Sequence, residues 1–303
     1  MKYLKLGAAV VGVVVSFFWL KPDSKVHVAF CNVGQGDGIL VVYGQTQVLI
    51  DGGPSDSVLS CLSDYVPYWD NEIELVVLTN ADSDHMTGLI EVLKRYRVEK
   101  LVTNHLFKDT ARFEAFREAV ISSGVSVYAP QQGDVIKVST KPGLVKLEFE
   151  VLWPQERLGD KLVWSSIAKA SDDNNILGLN SYSKTKGNDQ SVVLAMHFGE
   201  FDALFTGDIG EEVEKVLAGN GVLEDVEVLK VGHHGSKFSS TSEFLDEIDA
   251  EVAVVSVGKN SYGHPTQEAL ARIENSGSKV IRTDTYGTVE IVSDGKNFWL
   301  SGD

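Results

Sequence analysis

The sequence predicts an α/β fold built as two facing mixed sheets with helices on their outer sides. Two observations predict it. Each half of the chain opens with short β-type runs joined by Gly-containing turns, and each then alternates apolar strands with helical segments. With 303 residues, the chain can bury an extensive core without covalent staples.

In the first half, β-type runs at 27–30, 38–43 and 47–50 form a meander. A helix near 58–65, a strand at 75–78, a helix over 87–96 and a strand at 101–103 follow. A helix over 111–123 stops at Gly124, and a strand at 126–128 closes this half. The second half has strands at 147–153, 191–198 and 203–206, then a helix over 211–217 and a strand at 226–231. A helix over 243–248, a strand at 252–256, a helix over 266–276 and strands at 279–282, 288–292 and 298–300 complete it. Between the halves, residues 154–188 are rich in Ser, Asn, Lys and Asp. That is long for a plain connection and suits a lid, a binding edge or disorder.

The N-terminus is a separate unit. Lys2 and Lys5 precede fifteen uncharged residues, 6–20, whose single hydroxyl is Ser16. As a helix these span roughly 22 Å, short of a hydrocarbon core of about 30 Å unless Tyr3, Leu4 and a snorkelling Lys5 lengthen it. A cleavable signal wants small residues at its end, whereas this segment closes with Phe17, Phe18, Trp19, Leu20, Lys21 and Pro22. The reading is therefore an uncleaved membrane anchor over 1–22 with the lysines inside and the body exported. A removed signal peptide, giving a secreted protein, and a first buried helix are the alternatives.

A formal charge of -16 repels phosphate backbones and excludes tight, salt-driven, nonspecific nucleic-acid binding. An enzyme acting on phosphate would need its cations as metal at the site. Cys31 and Cys61 cannot define a scaffold and read as two separate buried thiols, although an exported location leaves a disulfide open.

The densest chemistry is Asn80-Ala81-Asp82-Ser83-Asp84-His85, directly after the apolar run 75–78. Carboxylates and imidazole packed where strand becomes helix suit a divalent cation, zinc, manganese or iron more than calcium. An Asp that only caps the helix is the plainer reading. Asp208 follows Thr206-Gly207 and matches Asp51 before Gly52-Gly53, each an Asp at a strand end. Asp208 reads as a ligand, and Asp51 as a residue that orients one. Of the adjacent His233 and His234, one enters the site while the other packs or touches substrate. Ser236 stands in the same turn. His264, between Gly263 and Pro265, is a ligand candidate, and Asn260 and Tyr262 are either substrate contacts or loop structure. His105 can approach the site, whereas His27 and His197 read as structural. The stretch Gly34-Gln35-Gly36-Asp37-Gly38 reads as a tight hairpin turn.

Seven motifs in order, VGQGDG, LIDGG, NADSDH, FTGD, LKVGHHGS, VGKNSYGHP and RTDTYGTV, make the chain resemble metallo-β-lactamase-fold hydrolases from about His27 to its end. Within them the likeness is to the extracytoplasmic hydrolase domain of the ComEC proteins of DNA uptake. The resemblance implies an αβ/βα sandwich over 25–303 with one or two divalent metal ions, zinc or manganese, at the sheet edges. It places Asp82, Asp84, His85, Asp208 and His264 at ligand positions, and one of His233 and His234 against metal or substrate phosphate. Two positions depart from the pattern. Asn80 stands where the family string begins with His, and no His appears near Asn188 and Asp189, so one subsite is weakened, fills only with substrate or favours a harder ion such as manganese, with Asp82 and Asp189 in partial compensation.

The expected chemistry is metal-assisted hydrolysis of a phosphodiester in DNA outside the membrane. Asp82 would assist or act as base beside Asp84. His233 and His234 would serve the phosphate, and Asn80, Ser236, Asn260 and Tyr262 would contact substrate. The channel that accompanies the domain in that family lies outside this sequence. The expectation is thus a membrane-tethered version with a separate uptake channel as a possible partner. Hydrolysis of another exported phosphoester, amide or ester, or a non-catalytic binding module with a degraded metal site, are the rival readings.

Overall fold

The computed structural model describes residues 23–104, 108–140, 146–156 and 187–302. Strands β1 (Val26–Phe30), β2 (Ile39–Tyr43), β3 (Thr46–Ile50), β4 (Glu72–Leu78), β5 (Arg97–Thr103) and β6 (Ser126–Tyr128) lie side by side in chain order in the first sheet. In the second sheet, β7 (Val135–Ser139), β8 (Lys146–Trp153), β9 (Val193–Phe198), β10 (Phe201–Phe205), β11 (Val228–Lys230), β12 (Val252–Val255) and β13 (Lys279–Arg282) are likewise in order. The chain then returns: β14 (Val289–Ser293) pairs with β1, and β15 (Phe298–Leu300) pairs with β14. The last two strands therefore complete the first sheet and not the second half.

Three apolar layers hold this together. Val28, Phe30, Val41, Ile50 and Val77 of the first sheet meet Phe149, Leu194, Met196, Phe205 and Val254 of the second in a core between the sheets. On the first sheet's outer face lie α1 (Val58–Tyr65), α2 (Ser83–Arg95) and α3 (Ala111–Ser123). On the second sheet's outer face lie α4 (Glu211–Asn220), α5 (Ser242–Ile248) and α6 (Gln267–Asn275), and the short α7 (Thr283–Tyr286) follows β13. This is the αβ/βα sandwich that the motifs implied. Met86, Leu89, Val92 and Leu93 recur on one face of α2 at helical spacing, and all are buried. Helix α3 is capped by the Thr110 side chain accepting from Phe113 N and ends at Gly124 in the left-handed region.

Two elements depart from expectation for clear reasons. Helix α2 begins at Ser83, four residues before the predicted start, because Asp82 takes the extended N-cap position and Asp84 sits in the first turn. Strand β7 was not anticipated; it is an edge strand whose exposed residues alternate with Ile136 and Val138, so its apolar signal is thin.

The topology also decides where chemistry can gather. β3, β4, β5 and β6 are parallel neighbours, as are β10, β11, β12 and β13. The loops after β3, β4, β10, β11 and β12 thus leave from carboxyl ends, the edge at which open α/β sheets bind ligands. Close approach at this edge requires glycine. A Cβ on Gly88 of α2 would lie 1.9 Å from the carbonyl oxygen of Gly52, which follows β3.

The predicted anchor over 1–22 and most of 154–188 lie outside the described residues. Among the described residues, no helix is long and apolar enough to cross a membrane. The expectation of two separate thiols is corrected: Cys31, at the end of β1, and Cys61, in α1, form a disulfide with their Cα atoms 5.8 Å apart. The bridge closes a loop of 30 residues. Replacing both cysteines by serine is expected to lower stability by about 3 kcal/mol, read by denaturant unfolding, and reduction of the wild type should reproduce the loss.

Candidate metal centre

The site assembles from the strand ends inward. Asp51 leaves β3 with φ of 60°, in the left-handed region. Its carboxylate accepts from Thr79 N at 2.8 Å, from Thr79 Oγ1 at 2.5 Å and from His85 Nδ1 at 2.8 Å. The geometry of an orienting residue is therefore present. The first turn of α2 is pinned by its own carbonyls: Asp84 O accepts from Asp37 N at 3.1 Å, and His85 O accepts from Gly52 N at 2.6 Å. Glycine is required at position 36, where φ is 140° and a Cβ would lie 2.1 Å from Asp84 O.

From the second sheet, Asp208 follows β10. His233 and His234 sit in a short 3-10 segment, Gly232–Gly235, with φ of 47° and 53°. These left-handed values turn the adjacent rings to different surroundings, which a straight strand could not do. His234 is buried with its Nδ1 2.8 Å from the Ser256 carbonyl oxygen. A carbonyl only accepts, so Nδ1 carries a proton and Nε2 is the nitrogen left for a second proton or a metal ion. The same logic applies to His85, whose Nδ1 faces Asp51.

The two free Nε2 atoms point at carboxylates. His85 Nε2 lies 3.0 Å from Asp208 Oδ2, and His234 Nε2 lies 3.5 Å from both Asp84 Oδ2 and Asp208 Oδ1. His85 Nε2, His234 Nε2 and Asp208 Oδ1 are buried with no hydrogen-bond partner. Two imidazole nitrogens and a carboxylate converging there, with Asp84 half-buried at the mouth, fit a divalent ion with mixed nitrogen and oxygen ligands that takes the place of the imidazole protons. Asp84, His85, Asp208 and His234 would hold it.

Behind this face lie two residues that the sequence reading left out. The 34–38 stretch does connect the antiparallel β1 and β2, but it is more than a tight turn, because Asp37 is buried in the site. Asp37 Oδ2 lies 3.6 Å from His85 Nδ1, and its Oδ1 lies 3.5 Å from His234 Nδ1. Lys230, at the end of β11, is 1% exposed, ion-pairs with Asp37, and donates to the Gly207 carbonyl at 2.8 Å. The available signal was a lysine inside the apolar run at 226–231.

The remaining predicted residues divide. Asp82 is turned to Lys108, with which it forms an ion pair, and is not brought into the ligand cluster. His264 also lies outside it; its ring packs edge-on at 5.3 Å from that of His233. Asn80 is buried and donates to Asn188 Oδ1 at 3.2 Å, and Asn188 Nδ2 lies 3.2 Å from His233 Nε2. Asn260 is a loop staple whose Oδ1 accepts from the backbone of Tyr262, Gly263 and His264. Ser236 is buried in its turn, where its Oγ accepts from Phe238 N at 3.3 Å. Tyr262 is 73% exposed beside His264. Asp189 lies beside Gly210 and belongs to none of the candidate ligand groups among the described residues. His27 bonds Asp23 and Glu290, and His197 bonds Asp202, on parts of the fold remote from this edge. His105 lies outside the described residues.

Charge is tightly coupled here. Burial opposes a proton on His85, but the carboxylates of Asp208 and Asp51 outweigh it and raise its pKa well above the ordinary imidazole value. Burial likewise opposes His234, and Asp208 and Asp37 raise it. Burial would lift Asp208, yet His85 and His234 hold it well below the usual carboxylate range. His233 and His264 behave oppositely: burial lowers both, so they are neutral near pH 7.

Residues 31–259 match the Metallo-beta-lactamase superfamily. The chain belongs to that superfamily, whose fold and donor set define it as a metal-dependent hydrolase. It is similar to ComE operon protein 3 of Bacillus subtilis (strain 168), 29% identical over 287 residues, which cover 88% of this chain and 33% of that protein. It is also similar to Competence protein ComA of Neisseria gonorrhoeae, 28% identical over 276 residues, covering 89% of this chain and 32% of that protein. The chain thus spans about a third of the length of these relatives. The metallo-beta-lactamase fold protein YhfI from Bacillus subtilis superposes with a TM-score of 0.56 at 12% identity, over 89% of this chain and 100% of that one. At that identity the likeness speaks for the fold alone.

Two outcomes follow for metal binding. His234→Ala is expected to weaken manganese or zinc binding by at least about a hundredfold, whereas His264→Ala leaves it within about threefold, measured by calorimetry. The second outcome concerns pH. In the metal-free protein the raised pKa values of His85 and His234 give stability that is full below the unfolded value and fades as pH rises through the folded one. An ion must displace those protons. Apparent affinity should therefore fall as pH is lowered through the raised histidine range, with up to two protons released per ion, read by calorimetry in buffers of different ionisation enthalpy.

Proposed function

We propose that this chain is a phosphodiesterase that cleaves DNA on the outer side of a membrane, to which its N-terminal segment tethers it. The observation that carries the reading is the meeting of Asp84, His85, Asp208 and His234 around unsatisfied ligand atoms, beside a neutral face of His233, Asn188 and Asn80. A divalent ion bound to the four supplies Lewis acidity, lowering the pKa of water from about 15.7 towards 7 and polarising a phosphoryl oxygen. The protein supplies the rest. Asp51 and the Ser256 carbonyl fix the two imidazoles so that each presents Nε2. An N–H of neutral His233 donates a hydrogen bond to a phosphate oxygen, and the leaving oxygen takes its proton from solvent water.

Three features support DNA and an exported location. One relative is named a competence protein. A disulfide suits an oxidising compartment. Phe238 is 57% exposed with Lys237 Nζ 4.9 Å from its ring centre, and Tyr262 is exposed beside His264; flat rings next to the site suit unstacked bases of a single strand. The net charge of -16 favours a second reading, a smaller exported phosphoester, amide or ester.

The test is the purified full chain with manganese or zinc against labelled single strands and a panel of small esters and phosphoesters. Metal-dependent cleavage of the strand is expected, lowered at least about a hundredfold by Asp208→Ala. Phe238→Ala should raise KM and leave kcat in place, and kcat/KM for the strand should change little as salt rises from about 50 to 200 mM, since the capturing face carries no array of lysines. Turnover of small substrates alone would select the second reading. Metal binding without turnover of any substrate would leave a binding module.

A further inference from the structure

The strands of the first sheet end at two opposite edges, and the metal centre occupies only one of them. β3 runs from Thr46 at the far edge to Ile50 and then Asp51 at the centre, roughly 17 Å at about 3.3 Å per residue. Antiparallel pairing sets Tyr43 beside Thr46 and Val26 beside Tyr43, so β1 begins at that far edge. β4, parallel to β3, begins there too. The turn leading into β4 is fixed by Asp70 N donating to Pro67 O at 2.8 Å and Arg97 N donating to Asn71 O at 2.7 Å. It presents Tyr68, 94% exposed, and Trp69, 49% exposed, as an edge-on pair with ring centres 4.8 Å apart. Trp299 of β15 lies level with His27 of β1 through their shared partner Val292, is part-exposed, and has Lys25 Nζ 4.6 Å from its ring centre.

One exposed apolar side chain is ordinary on a protein surface, but two indoles and a phenol at one edge, with a lysine among them, are a patch. Rings with an apolar body and one polar N–H or O–H suit the boundary between hydrocarbon and water. The chain itself says what lies beside this edge. The uncharged run 6–20 ends at Leu20, and only residues 21–25 separate it from Val26, at most about 22 Å of extended chain. A bilayer that holds 6–20 is therefore within reach of this edge, whereas the metal edge is a full strand length farther away. Carboxylates of Asp23, Asp70 and Glu72 accompany Lys25 and Arg97 here, so the edge is no basic patch, and a net charge of -16 gives no attraction to anionic lipid. The surface that fits is a zwitterionic headgroup layer, held by rings and not by charge.

We infer that this edge of the first sheet docks on a zwitterionic phospholipid surface, with Tyr68, Trp69 and Trp299 in the headgroup layer, and so holds the metal centre facing away from the bilayer. The inference rests on the tether in the reading above and not on the reaction. The full chain is placed singly in nanodiscs of phosphatidylcholine and exposed to hydroxyl radicals, and oxidation of each ring is read by mass spectrometry. In open water Tyr68, at 94% exposure, would oxidise at least as fast as Tyr262 at 73%. On the disc it should oxidise at least about threefold more slowly than Tyr262, at low and high salt alike. The double variant Tyr68→Ser, Trp69→Ser should still float with phosphatidylcholine liposomes and keep its metal affinity, while Trp299 oxidises at least about twofold faster than in the wild type. Should that variant not fold, the wild-type footprint decides alone. Tyr68 oxidised as fast as Tyr262 on discs that hold the chain would overturn the inference while the tether stands. Protection found in liposomes carrying many chains but not in single-chain discs would assign the edge to a second copy and overturn it equally. A full chain that does not float with the liposomes would remove the tether and the inference together.

Discussion

The constraint on which this structure turns is the burial of several carboxylates at one edge. Asp37, Asp51 and Asp208 are withdrawn from water within reach of His85, His234 and Lys230. A buried carboxylate is tolerable only when paired or hydrogen-bonded, so each of these groups exists on the condition that the cations stay. Part of that positive charge is permanent, in Lys230. The rest is exchangeable, carried by protons on the imidazoles or by a divalent ion. A centre of this kind is ready for metal because protons are the weaker claimants to the same lone pairs.

The fold supplies this constraint through its connections. Parallel strands release their loops at one edge of each sheet, and the packed core between the sheets brings the two edges together. Small residues then allow the loops to close on helix α2: Gly36 against the Asp84 carbonyl and Gly88 against the Gly52 carbonyl. With backbone from Asp37, Gly52 and Gly53 hydrogen-bonded to the first turns of α2, the positions of Asp84 and His85 are set by main chain and not by side-chain rotamers alone. The disulfide ties the start of the 31–38 loop to α1, so the segment carrying Asp37 is restrained at its beginning as well.

How much of this was legible in the sequence depended on whether a residue's role shows in its own chemistry or only in its surroundings. Asp84, His85 and Asp208 stood out because a carboxylate or imidazole at an apolar strand's end has few uses in a core. Asp37 did not, since an Asp between glycines is also what an ordinary turn contains. Lys230 was hidden for a different reason: a single lysine in a short strand normally faces solvent, and only the opposite sheet supplies the partner that lets it face inward. Among His233, His234 and His264 the decision lay in backbone dihedrals. Left-handed values at two consecutive non-glycine residues turn His234 to the ligands and His233 to Asn188, a geometry that no period of the sequence encodes. The pairing of Cys31 with Cys61 was hidden in the same way, because it depends on α1 packing back over the end of β1. The return of β14 to β1 escaped notice too, since strands at a chain's end carry no mark of which sheet they join.

The site is unequal on its two sides, and on the proposed phosphodiesterase reading this inequality bears on how it would meet a polyanion. One side holds charges that an ion nearly balances. The other, with Asn80, Asn188 and two neutral histidines, offers hydrogen bonds and little charge. An acidic surface gives a nucleic acid no long-range attraction, so capture must rest on short-range contacts made after collision. Neutral donors and exposed rings serve that purpose, because their hold on a phosphate or a base varies far less with distance-dependent field and ionic strength than an array of lysines would. On the proposed reading, the same neutrality would leave the ion as the principal positive charge facing the scissile phosphate. A group that approaches by another path finds carboxylates, whereas one that reaches the ion finds its charge undiluted by neighbours, which ties productive binding to the single place where the chemistry can occur.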